Sequence, residues 1–229
     1  MNEVMTLTEV ADYLQLAEKT VLRMAQKGKI PAAKVASQWR FLRPVIKDWL
    51  ATQMQYLTLS AFGHTESTPQ TGLSLMKAIR PDLMSLKIVA GSKTEVLTRL
   101  IEPLKRTGFA TKPDVLLQGL IERERLMTTA VGHTIAIPHP RRILDGMFRE
   151  PAVAMGICPS GTDFDAIDDQ PVHLFFLICA TREAIHLELM AKVAWLVRQQ
   201  ERMALLNCSQ SPEQVLRVIS EAMETLEPS

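Results

Sequence analysis

The chain has 229 residues, 47% of them hydrophobic, which is enough for one large core or two smaller ones. Its 26 Lys and Arg residues nearly balance its 25 Asp and Glu residues, so net charge identifies neither a nucleic-acid nor a membrane partner. Any such partner must be identified from local charge instead.

Cysteine usage and the start of the chain bear on the cellular compartment. The three cysteines lie far apart and form no CxxC pair, which argues against a disulfide framework or a zinc ribbon. The first residues carry no secretory signal pattern, and no apolar run approaches the roughly 18 residues that span a bilayer. We therefore expect a cytoplasmic protein without a membrane partner.

Residues 60–72, SAFGHTESTPQTG, separate two blocks of the chain that show hydrophobic periodicity. This segment is polar, rich in Gly, Ser, Thr and Pro, and lacks hydrophobic periodicity, which is typical of a linker. The blocks on either side have the sizes of a small module and of a full α/β domain. We therefore predict domains at residues 1–54 and 73–229, joined by a linker at residues 55–72.

The small block contains the signals of three short helices and a hairpin. Thr6 and Glu9 form the capping-box pattern that begins a first helix. A second helix follows, with a polar, mostly basic face and Gly28 as a stop signal. Residues 32–42, AAKVASQWRFL, alternate as a hairpin does, and Pro44 stands where a third helix could begin. The apolar residues expected in that third helix are Ile46, Trp49 and Leu50.

Residues 5–52 resemble the excisionase and MerR-like winged helix-turn-helix family, in this order of elements and in the segments LTEVADYL, KTVLRMAQKGKIPAAKV, WRF and IKDWL. The resemblance implies that the second helix enters the major groove of double-stranded DNA and that the hairpin wing contacts the backbone. Arg and Lys suit both tasks, because they neutralise phosphates and read guanine edges. The DNA-binding residues that it implies are Lys19, Thr20, Arg23 and Lys27 in the groove and Lys34, Trp39 and Arg40 on the wing.

Two alternatives to DNA binding stay open for this module. It could bind a protein, or it could dimerise, since its order of elements does not by itself specify a nucleic-acid partner. Trp39 also has a simpler interpretation, as part of the hairpin core.

The large block combines helical periodicity with short apolar runs. Two amphipathic helices are predicted from the spacing of Val96, Leu97, Leu100 and Ile101 and, after Pro113, of Val115, Leu116, Gly119 and Leu120. Strands are predicted at TIAIP, AVAMGIC and VHLFFLICA, and further helices at AIHLELMAKVAWLVRQQ and SPEQVLRVISEAMETL. The economical packing is an α/β fold in which helices cover a sheet.

Histidines are the main candidates for chemistry in this block. The chain has no GxGxxG, and GSKTEV lacks the leading glycine of a phosphate-binding loop, so a phosphate donor would come from outside. His64 falls in the predicted linker, and His173 begins an apolar run as a wall residue. His133, His139 and His186 remain.

His139 and His186 together predict a phosphohistidine site. His139 ends the apolar run TIAIP, and His186 falls in the first turn of a helix. Alone, His186 would be a hydrogen-bonded core residue. Beside each other, the two imidazoles could face one phosphoryl group, because the N–H groups of a first helical turn attract anions. A neutral imidazole is also a competent nucleophile near pH 7.

The segments RERLMTTAVGHTIAIPH, DDQPV and IHLELMAKVAWL resemble the motifs of the type-2 enzyme IIA domains of the bacterial phosphotransferase system, in the branch of fructose, mannitol and nitrogen-regulatory proteins. The resemblance covers about residues 73–225 and implies a mixed sheet flanked by helices. It implies that His139 is phosphorylated, that His186 orients or stabilises the phosphoryl group, and that Arg123 neutralises its oxygens. A guanidinium suits that role, because it donates two parallel hydrogen bonds to phosphate.

The turn before His139 departs from the family pattern. The family's Gly-Asn-Gly reads Gly-His-Thr here, and MTT replaces the usual GST. His133 could add a hydrogen bond to the phosphoryl group, but we favour an exposed turn position, since turns tolerate polar residues. A metal site of His133, His139 and His186 is less favoured, because a facing arginine would repel the cation. We expect neither a metal nor a cofactor.

Three functions are compatible with these two modules. The first is a nitrogen-regulatory-type phosphocarrier that accepts a phosphoryl group from a histidine-containing phosphocarrier protein and couples it to DNA-binding transcriptional regulation. The second is a transcription factor whose large domain is a degenerate, unphosphorylated sensor or dimerisation platform. The third is a sugar-specific transport component. This alternative is weaker, because the chain contains no permease. A second copy of the chain is a candidate partner, and we expect a phosphocarrier rather than an autonomous enzyme.

Overall fold

The computed structural model describes residues 3–28, 30–46, 49–50, 73–143, 145–166 and 168–223. The chain divides into two compact units, Met1–Thr58 and Leu59–Ser229. The predicted linker at residues 55–72 lies outside the described residues, so the domain boundaries 1–54 and 73–229 stay predictions. Among the helices that are described, none combines the length and apolar character required to traverse a bilayer.

The first unit has the predicted order of helix, helix, hairpin and helix. Its elements are β1 (Val4–Met5), α1 (Leu7–Leu14), α2 (Glu18–Gln26), β2 (Ala33–Val35), β3 (Gln38–Leu42) and α3 (helical at residues 43–46 and 49–50). The predicted capping box begins α1: Glu9 N–H donates to Thr6 Oγ1 at 3.3 Å, and Thr6 N–H donates to Glu9 Oε2 at 2.7 Å. By contrast, the residue that precedes α2, Ala17, provides no side-chain cap.

A small antiparallel sheet completes this unit. Within the described residues its strand order is β1-β3-β2, and β1 is a strand that the sequence did not predict. Phe41 of β3 lies in the core with Val10 of α1 and Val21 of α2. Ile46 and Trp49 of the third helix are buried as predicted, whereas Leu50 is half-buried. These contacts close a helical core on one side of the hairpin.

The second unit alternates strands and helices, as the sequence predicted. Its described elements are α4 (Leu75–Ala78), β4 (Ile79–Ser85), α5 (Lys93–Arg106), α6 (Pro113–Leu126), β5 (Ala130–Gly132), β6 (Ile135–Ala136), β7 (Ala152–Thr162), β8 (Val172–Cys179), α7 (Glu183–Val197), α8 (Gln200–Asn207) and α9 (Pro212–Met223). Elements α4, β4, β5 and α8 were not predicted. β4 contains Pro81 and charged residues, which weaken a strand signal.

One mixed sheet organises this unit, and it has the order β4-β7-β8-β6-β5 in the described residues. β4 is parallel to β7 and β6 is parallel to β8, whereas β7 and β8 are antiparallel. Side chains alternate between the two faces, which forms two cores. One core packs against α5 and α6, and the other packs against α4, α7, α8 and α9. The predicted class, an α/β sheet flanked by helices, is confirmed.

Helix α6 carries one difference from the expected burial. Leu116 and Leu120 are buried, but Val115 is 47% exposed, although its spacing placed it with them. In an α-helix, each residue is rotated by about 100° from the one before it, so Val115 falls beside the buried stripe rather than on it. The sequence predicted the helix correctly, but it assigned Val115 to a buried face that does not include it.

Candidate functional site

His139 lies at the carboxyl end of β6, where that strand leaves the sheet. Ile178 N–H of β8 donates to Pro138 O at 3.0 Å, so the pairing continues two residues past β6 and stops immediately before His139. The imidazole is only 8% exposed. The sheet therefore fixes the backbone that carries His139.

The imidazole of His139 is held in one tautomer. Its Nδ1 lies 2.9 Å from the carbonyl oxygen of Ile137. Because a carbonyl oxygen can only accept, Nδ1 carries the proton and donates this hydrogen bond. In a neutral ring, the other nitrogen, Nε2, then keeps its lone pair. Nε2 is consequently the ring nitrogen whose lone pair is available for bonding.

His186 lies beside His139, although the two residues are 47 positions apart in the sequence. It is in the first turn of α7, where its N–H donates to Arg182 O at 3.0 Å. The two ring centroids are 5.2 Å apart, with an angle of 56° between the rings. β6 and β8 are parallel, so their carboxyl ends lie at the same end of the sheet. His139 follows β6 and α7 follows β8, which places both imidazoles at that end.

Arg123 supplies the positive charge of the site from the last turn of α6. Its side chain is buried, at 7% exposure, and its Nη1 donates to Met127 O at 2.9 Å. Burial, and then the charge of Arg123, lower the pKa of His139 to about 3 and that of His186 to about 4. The structure thus brings His139, His186 and Arg123 together, and it keeps both imidazoles neutral at pH 7.

Such a site suits an incoming phosphoryl group. A buried guanidinium beside two neutral imidazoles suits an anion, because a guanidinium donates charge-assisted hydrogen bonds to phosphoryl oxygens. Neutral His139 also needs no deprotonation before it attacks. We assign this chemistry to the site as a hypothesis, and the roles of the three residues remain predictions.

The depressed pKa values predict a specific loss of stability in mild acid. Unfolded histidines titrate near 6.5, so between pH 6.5 and 4 the unfolded chain binds more protons and the free energy of unfolding falls as pH falls. For His186, we expect this loss to be about 2 kcal/mol between pH 7 and 5. Chemical denaturation of wild type and His186→Gln at both pH values measures it. An equal loss in both proteins would contradict the half-buried, neutral state of His186.

A cleft of about 550 Å³ borders the site on the side of α6. Pro140, the residue after His139, lines it together with Val115 and Gly119 of α6. Its wall also carries both charges, from Arg141 and Arg142 and from Asp114 and Glu122. The exposed Val115 therefore contributes apolar surface to the same cleft as Pro140.

His133 and Thr134 form the turn between β5 and β6. Both have left-handed backbone, with φ of 52° and 65°, and His133 is exposed, as we expected. Asp168 holds the turn by accepting a hydrogen bond from His133 N–H at 2.7 Å. This bond gives the DDQPV segment a structural task that sequence reasoning missed. No three His, Cys, Asp or Glu side chains of the described segments form a group that could hold a metal ion, so the three-histidine metal alternative gains no support.

The strain in this turn can be measured. Left-handed backbone costs about 1–2 kcal/mol for a residue with a β-carbon, and glycine avoids that cost at some expense in entropy. We expect Thr134→Gly to raise the free energy of unfolding by about 0.5–1 kcal/mol. Thr98→Gly, in the middle of α5 on its exposed face, is the control and should lower the free energy of unfolding by a few tenths of a kcal/mol. A loss of stability in Thr134→Gly would show that the turn is unstrained.

The first unit exposes most of the residues predicted to bind DNA. Lys19, Arg23 and Lys27 are exposed along α2, and Thr20 is half-buried between them. The helix therefore presents a basic face, as its periodicity predicted. The predicted contact with DNA is a separate matter and stays a prediction.

The hairpin residues are less uniform. Lys34 of β2 is exposed and lies opposite Trp39 of β3 in the strand register. Trp39 is half-buried, in keeping with a partial role in hairpin packing. Arg40 is also half-buried, and its guanidinium donates to Trp39 O at 2.9 Å and to the Gln38 side chain. Of the three residues predicted for the wing, Lys34 is thus the most accessible.

Comparison with known proteins identifies both parts of the chain. Residues 77–222 match the family described as "Phosphoenolpyruvate-dependent sugar phosphotransferase system, EIIA 2". The chain belongs to this family, and the resemblance of its motifs is confirmed. Residues 4–54 match a "Helix-turn-helix domain", which agrees with the observed order of helices.

The relatives of this chain include both transport and regulatory proteins. It is similar to the "PTS system fructose-specific EIIABC component" of Bacillus subtilis, with 26% identity over 65% of this chain but only 23% of that protein. It is 31% identical to the "Nitrogen regulatory protein" of Bradyrhizobium diazoefficiens, over 66% of this chain and 95% of that protein. The crystal structure of Nitrogen Regulatory Protein IIA-Ntr from Neisseria meningitidis aligns with a TM-score of 0.55 and 27% identity, covering 63% of this chain and 97% of the other.

Proposed function

We propose that this protein is a nitrogen-regulatory-type phosphocarrier that accepts a phosphoryl group on Nε2 of His139. The observation that carries this proposal is the anchoring of Nδ1 on the Ile137 carbonyl, which leaves the lone pair on Nε2 of a neutral ring next to His186. The similarity to nitrogen regulatory proteins supports the regulatory assignment.

The transfer needs no cofactor and no change in the protonation of His139. The lone pair of Nε2 forms the new N–P bond while the donor's N–P bond breaks, and the electron pair of that bond stays on the donor nitrogen. Arg123 neutralises charge on the phosphoryl oxygens, and His186 orients the group from the first turn of α7. The donor is a histidine-containing phosphocarrier protein, which would approach over the cleft beside Pro140.

Intact mass spectrometry tests this proposal. The full chain is incubated with phosphoenolpyruvate and the phosphotransferase donor cascade, which ends in the phosphocarrier protein, and the expected product has the mass of one added phosphoryl group. Omission of the phosphocarrier protein should abolish the gain. No gain in mass with the complete cascade would favour the alternative, a degenerate sensor domain. Passage of the label onward to a sugar-specific enzyme IIB domain would favour the transport alternative.

We further propose that the helix-turn-helix unit binds double-stranded DNA through α2 and that phosphorylation modulates this binding. The exposed basic face of Lys19, Arg23 and Lys27 supports the first half of this proposal, because such side chains neutralise backbone phosphates. The presence of both modules in one chain supports the second half.

Direct electrostatic repulsion is a poor mechanism for this coupling. A phosphoryl group adds about 1.5–2 negative charges, but the Debye length in physiological salt is only about 8 Å. A change in docking is a better mechanism, because it alters how many helix-turn-helix units can reach two half-sites at once. DNA affinity and oligomeric mass are to be compared before and after phosphorylation at fixed salt, with His139→Ala as the control. Identical values in both states would leave two independent functions on one chain.

A further inference from the structure

Glu124 is a buried carboxylate immediately after Arg123, and its role is not explained by the chemistry above. The residue is 5% exposed. Its Oε1 accepts from Lys93 Nζ at 2.9 Å. Its Oε2 accepts twice from Thr129, from the backbone N–H at 2.9 Å and from the hydroxyl at 2.6 Å. Burial of a charge is costly unless such partners replace the lost water, so this geometry is specified closely.

From Glu124, hydrogen bonds continue without interruption to the acceptor histidine. Thr129 O accepts from Ile137 N–H at 2.9 Å. Ile137 O in turn accepts from His139 Nδ1 at 2.9 Å. Thr129, which Glu124 holds, therefore positions Ile137 through its N–H, and the carbonyl of Ile137 fixes the ring of His139.

Lys93 anchors the far end of this network. Besides Glu124, it forms an ion pair with Asp165 at 2.8 Å, and its ammonium lies 5.1 Å from the ring centroid of Phe164. It comes from the first turn of α5, so the network joins α5, α6 and the start of β5. Because several elements hold Glu124 and its partners, these groups have little freedom to move. Such rigidity keeps a nucleophile in the orientation in which it reacts.

We infer that Glu124 is a positioning residue for His139, acting through Thr129 and Ile137 to keep Nδ1 as the donor and Nε2 as the nucleophile. This inference rests on the proposed function only in its kinetic consequence. Its structural content, the fixed orientation and tautomer of the His139 ring, exists in the unphosphorylated protein and is measurable there.

The substitution Glu124→Gln keeps the shape of the side chain but cannot keep all of its hydrogen bonds to Lys93 and Thr129. Its single amide oxygen can accept from Thr129 or from Lys93, and its NH₂ group then faces a donor at the other place. Thr129 offers a finer test. Thr129→Val removes the hydroxyl with little change in volume, whereas Thr129→Ser keeps it. A matched control is Glu102→Gln, which removes one carboxylate from the exposed face of α5.

The experiment has two readouts on the full chain: ¹⁵N NMR of the imidazoles before phosphorylation, and the phosphorylation rate with the donor cascade. We expect Glu124→Gln to mix the two tautomers of His139 and to slow phosphorylation by about 10-fold to 100-fold. Thr129→Val should behave in the same direction, while Thr129→Ser and Glu102→Gln should stay within about twofold of wild type. Circular dichroism establishes that each variant is folded.

Several results would overturn the inference. A folded Glu124→Gln protein with wild-type ring signals and a wild-type rate would do so, as would equal behaviour of Thr129→Val and Thr129→Ser. If Glu124→Gln does not fold, the Thr129 pair decides the question. If wild type accepts no phosphoryl group, the proposed function fails, but the ring signals of the variants still decide whether Glu124 positions His139.

Discussion

His139→Ala is expected to accept no phosphoryl group from the donor cascade. The substitution removes Nε2, the atom that forms the N–P bond, and loss of a nucleophile lowers rates by at least about 1000-fold. His186→Ala should retain slow labelling, reduced by about 10-fold to 100-fold, since it loses orientation and charge stabilisation but keeps the acceptor. Intact mass and initial rates of labelling measure both effects.

His173→Ala is the matched control for this prediction. Its imidazole is also held through Nδ1 by a carbonyl, that of Cys158 at 3.1 Å, but it lies at the start of β8 and outside the pair that His139 forms with His186. It should label like wild type. Equal labelling of His139→Ala and wild type would show that another residue accepts the group and would remove the basis of the proposed site.

Arg23→Ala combined with Lys27→Ala is expected to weaken DNA binding by about 100-fold. A hydrogen bond to a charged group contributes on the order of 1.5 kcal/mol, which is about tenfold in affinity for each side chain removed. Removal of each cation that neutralises a phosphate should also reduce the slope of log affinity against log salt by roughly one. Titration of a random duplex pool at several salt concentrations measures both quantities.

Lys105→Ala is the control for the loss of one cation outside the helix-turn-helix unit, because Lys105 is an exposed cation of α5 in the other unit. Its removal should leave both affinity and salt slope unchanged. A salt-independent interaction, or no binding to any duplex, would favour a protein-binding or dimerising role for the helix-turn-helix unit.

Local signals were sufficient to predict much of the fold. The capping box at Thr6 and Glu9 predicted the start of α1, and the long apolar runs predicted β7 and β8, because both patterns depend on neighbouring residues. β5 is only three residues long and pairs with another short strand, so its sequence carries almost no periodic signal. Its existence depends on tertiary contacts.

The candidate site shows the same division. His139 and His186 could be selected from the sequence because each stands at the end of an apolar element, and family motifs paired them with Arg123. The sequence showed Glu124 only as part of the segment RERLMTTAVGHTIAIPH and assigned it no role. Its function depends on bonds to Lys93 and Thr129, and a bond between side chains 31 residues apart has no signature in one sequence.

The two edges of the mixed sheet restrict how a second copy could associate. β4 forms one edge, and it contains Pro81, which offers no N–H, flanked by Arg80 and Asp82, which pair with each other at 2.8 Å. β5 forms the other edge with only three residues. Strand-to-strand growth of the sheet across molecules is therefore suppressed at both sides. Self-association of this unit would have to use a helical face or a loop, so neither edge of the sheet offers a template for aggregation.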